Sequence, residues 1–213
     1  MQQRGEELKM GRVAVVGIGP GCREHLTPAA LKAVEEAEIL IGGKRQLALF
    51  PEKTSTILLG ADHGRLMEVL RSNRGRRIAV LTSGDPGFYS ILSILLENLP
   101  REEIEVVPGI SSMQLCFARA GLTWHDAAFY SVHGRSTEGL LEMVRRSRKT
   151  AVLTDPRTPP QEVARLLLAG GAGNRRAVVC EDLCGDDERV VEGSLEEVAK
   201  GSYKGYSVMV ILE

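Results

Sequence analysis

Apolar residues in this chain follow two rhythms. Short continuous runs end at glycine, proline, serine or aspartate, while longer stretches repeat apolar positions every three or four residues. The first kind predicts strands over 13–16, 39–41, 56–59, 78–81, 104–107, 128–132, 150–153, 177–179, 189–191 and 206–212. The second predicts helices between many of them. Thr27 and Pro28 start one that turns Ala30, Leu31 and Val34 inward; Asp62 caps another, with Leu66, Val69 and Leu70 buried. A run over 88–96 follows the fourth strand. Ser111 or Ser112 caps a helix through Met113, Leu115, Cys116 and Ala120 to a Gly121 stop, and Thr158 with Pro159 opens one carrying Val163, Leu166 and Leu167. Ser194 and Glu197 form a capping box. Strands alternating with helices make the class α/β. Residues 1–10 lack periodicity and read as an N-terminal extension. The connection over 121–126 divides the rest into an N-terminal α/β domain, 11–121, and a C-terminal one, 122–213.

Composition narrows the class of function. A net charge of −1 over 213 residues argues against a chain built to bind nucleic acid. Arg71, Arg74, Arg76 and Arg77 cluster where a helix ends, which its dipole favours without any RNA. No apolar run reaches the length of a membrane span, so a soluble, cytoplasmic protein is expected. Cys22, Cys116, Cys180 and Cys184 follow neither a zinc spacing nor a secreted framework, so reduced thiols and no metal are expected.

Candidate chemistry gathers where strands end. The first strand runs into Gly17-Ile18-Gly19-Pro20-Gly21. A dinucleotide fingerprint would continue straight into a helix; here a proline intervenes and 22–26 separate the glycines from the helix start, which weakens a phosphate site. The second strand is followed by Gly42-Gly43-Lys44-Arg45, not by the acid a nicotinamide ribose would want. The fourth ends in Ser83-Gly84-Asp85-Pro86-Gly87-Phe88, where Asp85 either caps the next helix or meets a ligand. The fifth ends in Pro108-Gly109-Ile110-Ser111-Ser112. Three such junctions in one half argue for one shared cleft.

Four strings, in this order and spacing, resemble the tetrapyrrole methylases: the first glycine loop with Leu26-Thr27, Ser83-Gly84-Asp85-Pro86, Pro108-Gly109-Ile110-Ser111-Ser112, and the strand end Val152-Leu153-Thr154. Gly42-Gly43-Lys44-Arg45-Gln46-Leu47, the Leu81 to Ser90 stretch and Ser131-Val132-His133-Gly134-Arg135 resemble its CbiE-type branch, the precorrin C5-methyltransferases. The resemblance implies two small α/β domains with the active site in the cleft between them. It implies methyl transfer from S-adenosylmethionine, leaving S-adenosylhomocysteine, to carbon C5 of precorrin-7 or its cobalt form in cobalamin biosynthesis. Cofactor contacts carried over residue by residue fall on Pro20, Ser83, Gly84, Asp85, Phe88, Ser111 and Ser112, then on Leu153, Thr154 and Leu183. Leu183 stands where the family often has glycine, which leaves the adenine-side contact open.

The acceptor so implied is rich in carboxylates, which guanidinium forks match. Arg135 is the candidate anchor and His133 the candidate proton acceptor or hydrogen-bond partner, with Lys44 and Arg45 behind them. The resemblance further implies a homodimer and a separate enzyme for C15 methylation and decarboxylation. Other readings stay open: another branch of the family, such as a diphthine synthase; an NADP-dependent oxidoreductase; or a module that holds a corrinoid without catalysis.

Overall fold

The computed structural model describes residues 12–60 and 63–213. The chain divides into two compact units, one ending at Ser111 and the other Ser112–Glu213. The expected 1–10 extension and the Asp62 cap lie outside the described residues.

In the first unit, β1 (Val13–Gly17), β2 (Ile39–Gly42), β3 (Thr56–Leu58), β4 (Ile78–Thr82) and β5 (Ile104–Val107) form one parallel sheet in the order β3-β2-β4-β1-β5. Period-two alternation sorts side chains onto its faces. Val13, Val15, Ile39, Ile41, Ile78 and Val80 point to one face, covered by Leu66 and Leu70 of α3 (His63–Ser72) and Leu95 of α4 (Leu92–Asn98). Val16, Leu40, Ala79 and Leu81 point to the other, under Ala30 and Val34 of α1 (Pro28–Glu36). A sheet covered on both faces explains why its strands read as unbroken apolar runs. Thr27 caps α1 by accepting the Ala30 N–H at 3.1 Å, with Pro28 as first helical residue, as its sequence predicts. A short α2 (Lys44–Leu47) follows β2.

Helix α4 starts at Leu92, four positions later than the run over 88–96 predicts. Tyr89 takes a positive φ of 49°, which no helix continues through, and the Ser90 hydroxyl then receives the Leu92 N–H.

The second unit is mixed. β6 (Ala128–Ser131) runs parallel to β7 (Lys149–Leu153); β10 (Ser207–Leu212) lies antiparallel between β7 and β8 (Arg176–Glu181), and β9 (Arg189–Ser194) closes the order β6-β7-β10-β8-β9. One face packs Val152, Val179, Met209 and Ile211 against α6 (Leu140–Arg146), α7 (Pro160–Ala169) and α8 (Leu195–Lys200). Ser194 and Glu197 close the predicted capping box on α8, with Glu197 accepting the Ser194 N–H at 2.7 Å.

The division between the units falls ahead of α5 (Ser112–Arg119). The reason is packing: the Cys116 thiol sits 3.9 Å from the Val208 carbonyl of β10, and the Cys180 thiol of β8 is 3.8 Å from the Cys116 carbonyl. α5 belongs to the sheet it covers.

Candidate active site

In the first unit the chain converges just past three neighbouring strands, β4, β1 and β5. Gly19 and Gly84 form an antiparallel bridge, with the Gly84 N–H donating to the Gly19 carbonyl at 2.7 Å and the return bond at 3.3 Å. A Cβ on Gly17 would meet the Gly109 nitrogen and Gly84 carbonyl oxygen at 2.7 Å and Pro86 Cδ at 2.8 Å. The close approach that Gly17 permits is therefore of loop to loop, and it holds all three strand ends in one place.

Asp85 is the clasp. Its Oδ1 accepts the Gly87 N–H at 2.8 Å, and its Oδ2 accepts the Gly109 N–H at 3.1 Å. It caps a turn and a neighbouring loop, not helix α4. Each oxygen has a second lone pair, so the carboxylate can still receive a hydroxyl or an ammonium donor. Around it, Ser83 is exposed and its Oγ receives the Gln46 Nε2–H at 3.2 Å; Phe88 is half-buried, edge-to-face with Tyr89. Pro20 is half-buried and Ser111 buried. These residues offer one carboxylate, hydroxyls and an aromatic edge at the ends of neighbouring strands. Gln46, which the sequence marks only as part of a family string, also receives the Gly43 N–H.

In the second unit, parallel pairing of Ser131 with Leu153 carries the chain past β6 and β7 together. His133 and Arg135 are exposed on the turn after β6. His133 lies 5.5 Å from the Tyr206 ring, centroid to centroid, at 53°, and Tyr206 is 60% exposed. Tyr206 reads from the sequence as part of the last strand, but β10 begins at Ser207, which frees the ring. Thr154 is 2% exposed; its hydroxyl donates to the Gly205 carbonyl at 2.6 Å, and the Ser207 N–H returns a bond at 3.1 Å. Its side chain is thus used inside its own unit, securing the turn before β10. Ser112 opens α5 and Leu153 ends β7.

Leu183 stands apart, half-buried on the loop after β8, two strands away from β7. That loop is tied by charge. Lys204 Nζ reaches Asp182 at 3.1 Å and Asp187 at 3.0 Å, and the buried Glu181 accepts from Arg189 and from the Lys204 N–H. Asp187 and Asp182 raise the Lys204 ammonium above its ordinary value. Arg119 pairs with Glu188 at the loop's end. Among the described residues, no helix is long and apolar enough to cross a membrane.

The chain is similar to known proteins in sequence and in fold. A family model described as Tetrapyrrole (Corrin/Porphyrin) Methylases matches residues 12–199. The chain is 42% identical over 179 residues to the cobalt-precorrin-7 C(5)-methyltransferase of Salmonella typhimurium, covering 84% of this chain and 88% of that one. The crystal structure of the cobalamin biosynthesis precorrin-6Y methylase (cbiE) from Archaeoglobus fulgidus superposes with a TM-score of 0.74 at 26% identity, over 95% and 97% of the two chains. The uroporphyrin-III C-methyl transferase of Thermus thermophilus, solved with S-adenosylhomocysteine, gives a TM-score of 0.76 at 28% identity, over 95% and 98%.

Proposed function

Because this chain belongs to the tetrapyrrole methylase family, we propose that it is an S-adenosylmethionine-dependent methyltransferase acting at carbon C5 of (cobalt-)precorrin-7 in cobalamin biosynthesis. The observation that carries the reading is the identity with a cobalt-precorrin-7 C(5)-methyltransferase over most of both chains.

S-adenosylmethionine supplies an electrophilic methyl group when bound. What the protein must do is hold donor and acceptor carbon in line, about 3 Å apart, and keep water out. Asp85 orients the donor's ammonium or ribose hydroxyls through its spare lone pairs, while the Gly87 and Gly109 N–H groups fix its carboxylate. The family resemblance assigns further donor contacts to Pro20, Ser83, Phe88, Ser111 and Ser112. Arg135 anchors an acceptor carboxylate by a two-pronged bond. His133 stands ready to take the proton that leaves the acceptor as the new bond forms. The working unit is a homodimer, as the family resemblance implies; light scattering of the purified chain checks this.

Calorimetric titration with S-adenosylhomocysteine, with NADP as control, comes first. Binding of the former alone supports the donor. Incubation with cobalt-precorrin-7 and S-adenosylmethionine should then add one methyl group, located at C5 by NMR. An NADP-binding chain, or one that holds the pigment without methylating it, would overturn the proposal.

A further inference from the structure

Asp155 follows β7 and is only 6% exposed. An acid this deep must have its oxygens occupied. Oδ1 accepts the N–H groups of Arg157 and Thr158, both at 2.9 Å, and so turns the chain toward α7. Oδ2 accepts the N–H of Gly134 at 2.8 Å. Gly134 lies between His133 and Arg135, so one carboxylate joins the loops after β6 and β7.

We propose that Asp155 is a positioning residue for the acceptor: its grip on the Gly134 N–H fixes the directions in which His133 and Arg135 leave the end of β6. The inference rests on the reading that those two residues meet the acceptor. Gly134 has a φ of +62°. A glycine turn is free to move unless something holds it, and a guanidinium that wanders by an ångström loses its two-pronged geometry. A simple turn or helix-start role for Asp155 needs one oxygen only. The second oxygen, aimed at the turn that bears both acceptor candidates, has no part in it. Thr154 holds the 205–207 turn from the next position, so the Tyr206 ring is fixed by the same strand end.

Asparagine separates the two jobs. Its single carbonyl oxygen can serve Arg157 and Thr158, which places its NH2 against the Gly134 N–H, donor facing donor. The flipped amide would break two bonds to save one. Asp155→Asn therefore releases the turn and keeps the bonds to Arg157 and Thr158. Asp155→Ser, whose one hydroxyl oxygen serves those N–H groups alone, carries the same test if the amide variant does not fold.

The measurements are acceptor KM and kcat at saturating S-adenosylmethionine, S-adenosylhomocysteine affinity and thermal unfolding, on native chain, Asp155→Asn, Arg135→Ala and the double variant. Expected are an acceptor KM raised about tenfold in Asp155→Asn, unchanged S-adenosylhomocysteine affinity, and little added effect in the double variant over Arg135→Ala. A merely structural role would weaken S-adenosylhomocysteine binding too, and would multiply with Arg135→Ala; either result overturns the proposal. Native KM in Asp155→Asn with a raised KM in Arg135→Ala also overturns it, while leaving the acceptor reading standing. Native KM in Arg135→Ala removes that reading, and this inference with it.

Discussion

The Gly84 carbonyl oxygen lies 2.7 Å from where a side chain on Gly17 would begin. Backbone packed this tightly leaves no room for a methyl group. Gly17→Ala should therefore destabilise the chain by about 1–3 kcal/mol, as overpacking does, and loosen the loops that carry Asp85. Urea unfolding measures the first effect. A variant as stable as the native chain would mean that the three strand ends can part at no cost.

Asp85 accepts one N–H on each oxygen, and asparagine can accept on one side only. Asp85→Asn should weaken S-adenosylhomocysteine binding by about tenfold or more, the scale of a lost hydrogen bond to a charged group. Calorimetry with the folded variant decides. Native affinity would leave Asp85 as a loop clasp with no share in the ligand.

The ten strands of the described residues are all legible in the sequence: most are buried apolar runs that end at turn residues, while the largely exposed edge strands β3 and β9 are marked by short β-branched runs. Helix α6 escapes it. Its N-cap, Gly139, is left-handed, and Arg145 and Arg146 crowd its last turn, so only Leu140 and Val144, with the partly buried Leu141, mark the inner face. The strand-end strings single out Asp85 and the His133 turn as candidates without a structure. Asp155 and Tyr206 do not announce themselves: the role of Asp155 depends on a partner in another loop, and that of Tyr206 on where β10 begins.

Tyr206 is largely exposed and rests on His133. Tyr206→Ala should change stability by no more than about 0.5 kcal/mol, as surface substitutions do, yet raise the acceptor KM several-fold. Tyr206→Phe should keep the stacking face and a near-native KM. Equal loss in both would assign the effect to the hydroxyl.

Asp155 titrates below the usual carboxylate value. The Gly134 N–H is the main cause, helped by those of Thr158 and Arg157 and by nearby His133, against the opposing effect of burial. A carboxyl with a depressed folded pKa stabilises the fold above its unfolded value, near 3.9, and that contribution disappears as pH falls through the folded value. Asp155→Asn should be less stable than the native chain at neutral pH, and the gap should narrow in acid. A constant gap from pH 7 to pH 2 would show that the charge is not what matters.

No disulfide joins any of the four cysteines, and by burial they fall into two pairs. Cys116 and Cys180 are buried, and the neighbouring Cys180 together with burial keeps the Cys116 thiol protonated. Cys22 and Cys184 are half-buried, with Cys22 Sγ 3.1 Å from His25 Nδ1. An aromatic disulfide reagent should modify two thiols in the native chain and four in urea. Four rapid equivalents without denaturant would contradict the packing of α5 on β10.

Strand β10 lies at the centre of its sheet, between β7 and β8, although it comes last of the ten in chain order. A ribosome releases the chain from its N-terminus, so every strand of the first unit is available while the second unit still lacks its middle. Until 207–212 emerge, β7 has only β6 and β8 only β9 to pair with, and the edges that will flank β10 stay open. Birth of this protein is thus sequential, and a message cut short before the codons for 207–212 would yield one finished unit tethered to an open one.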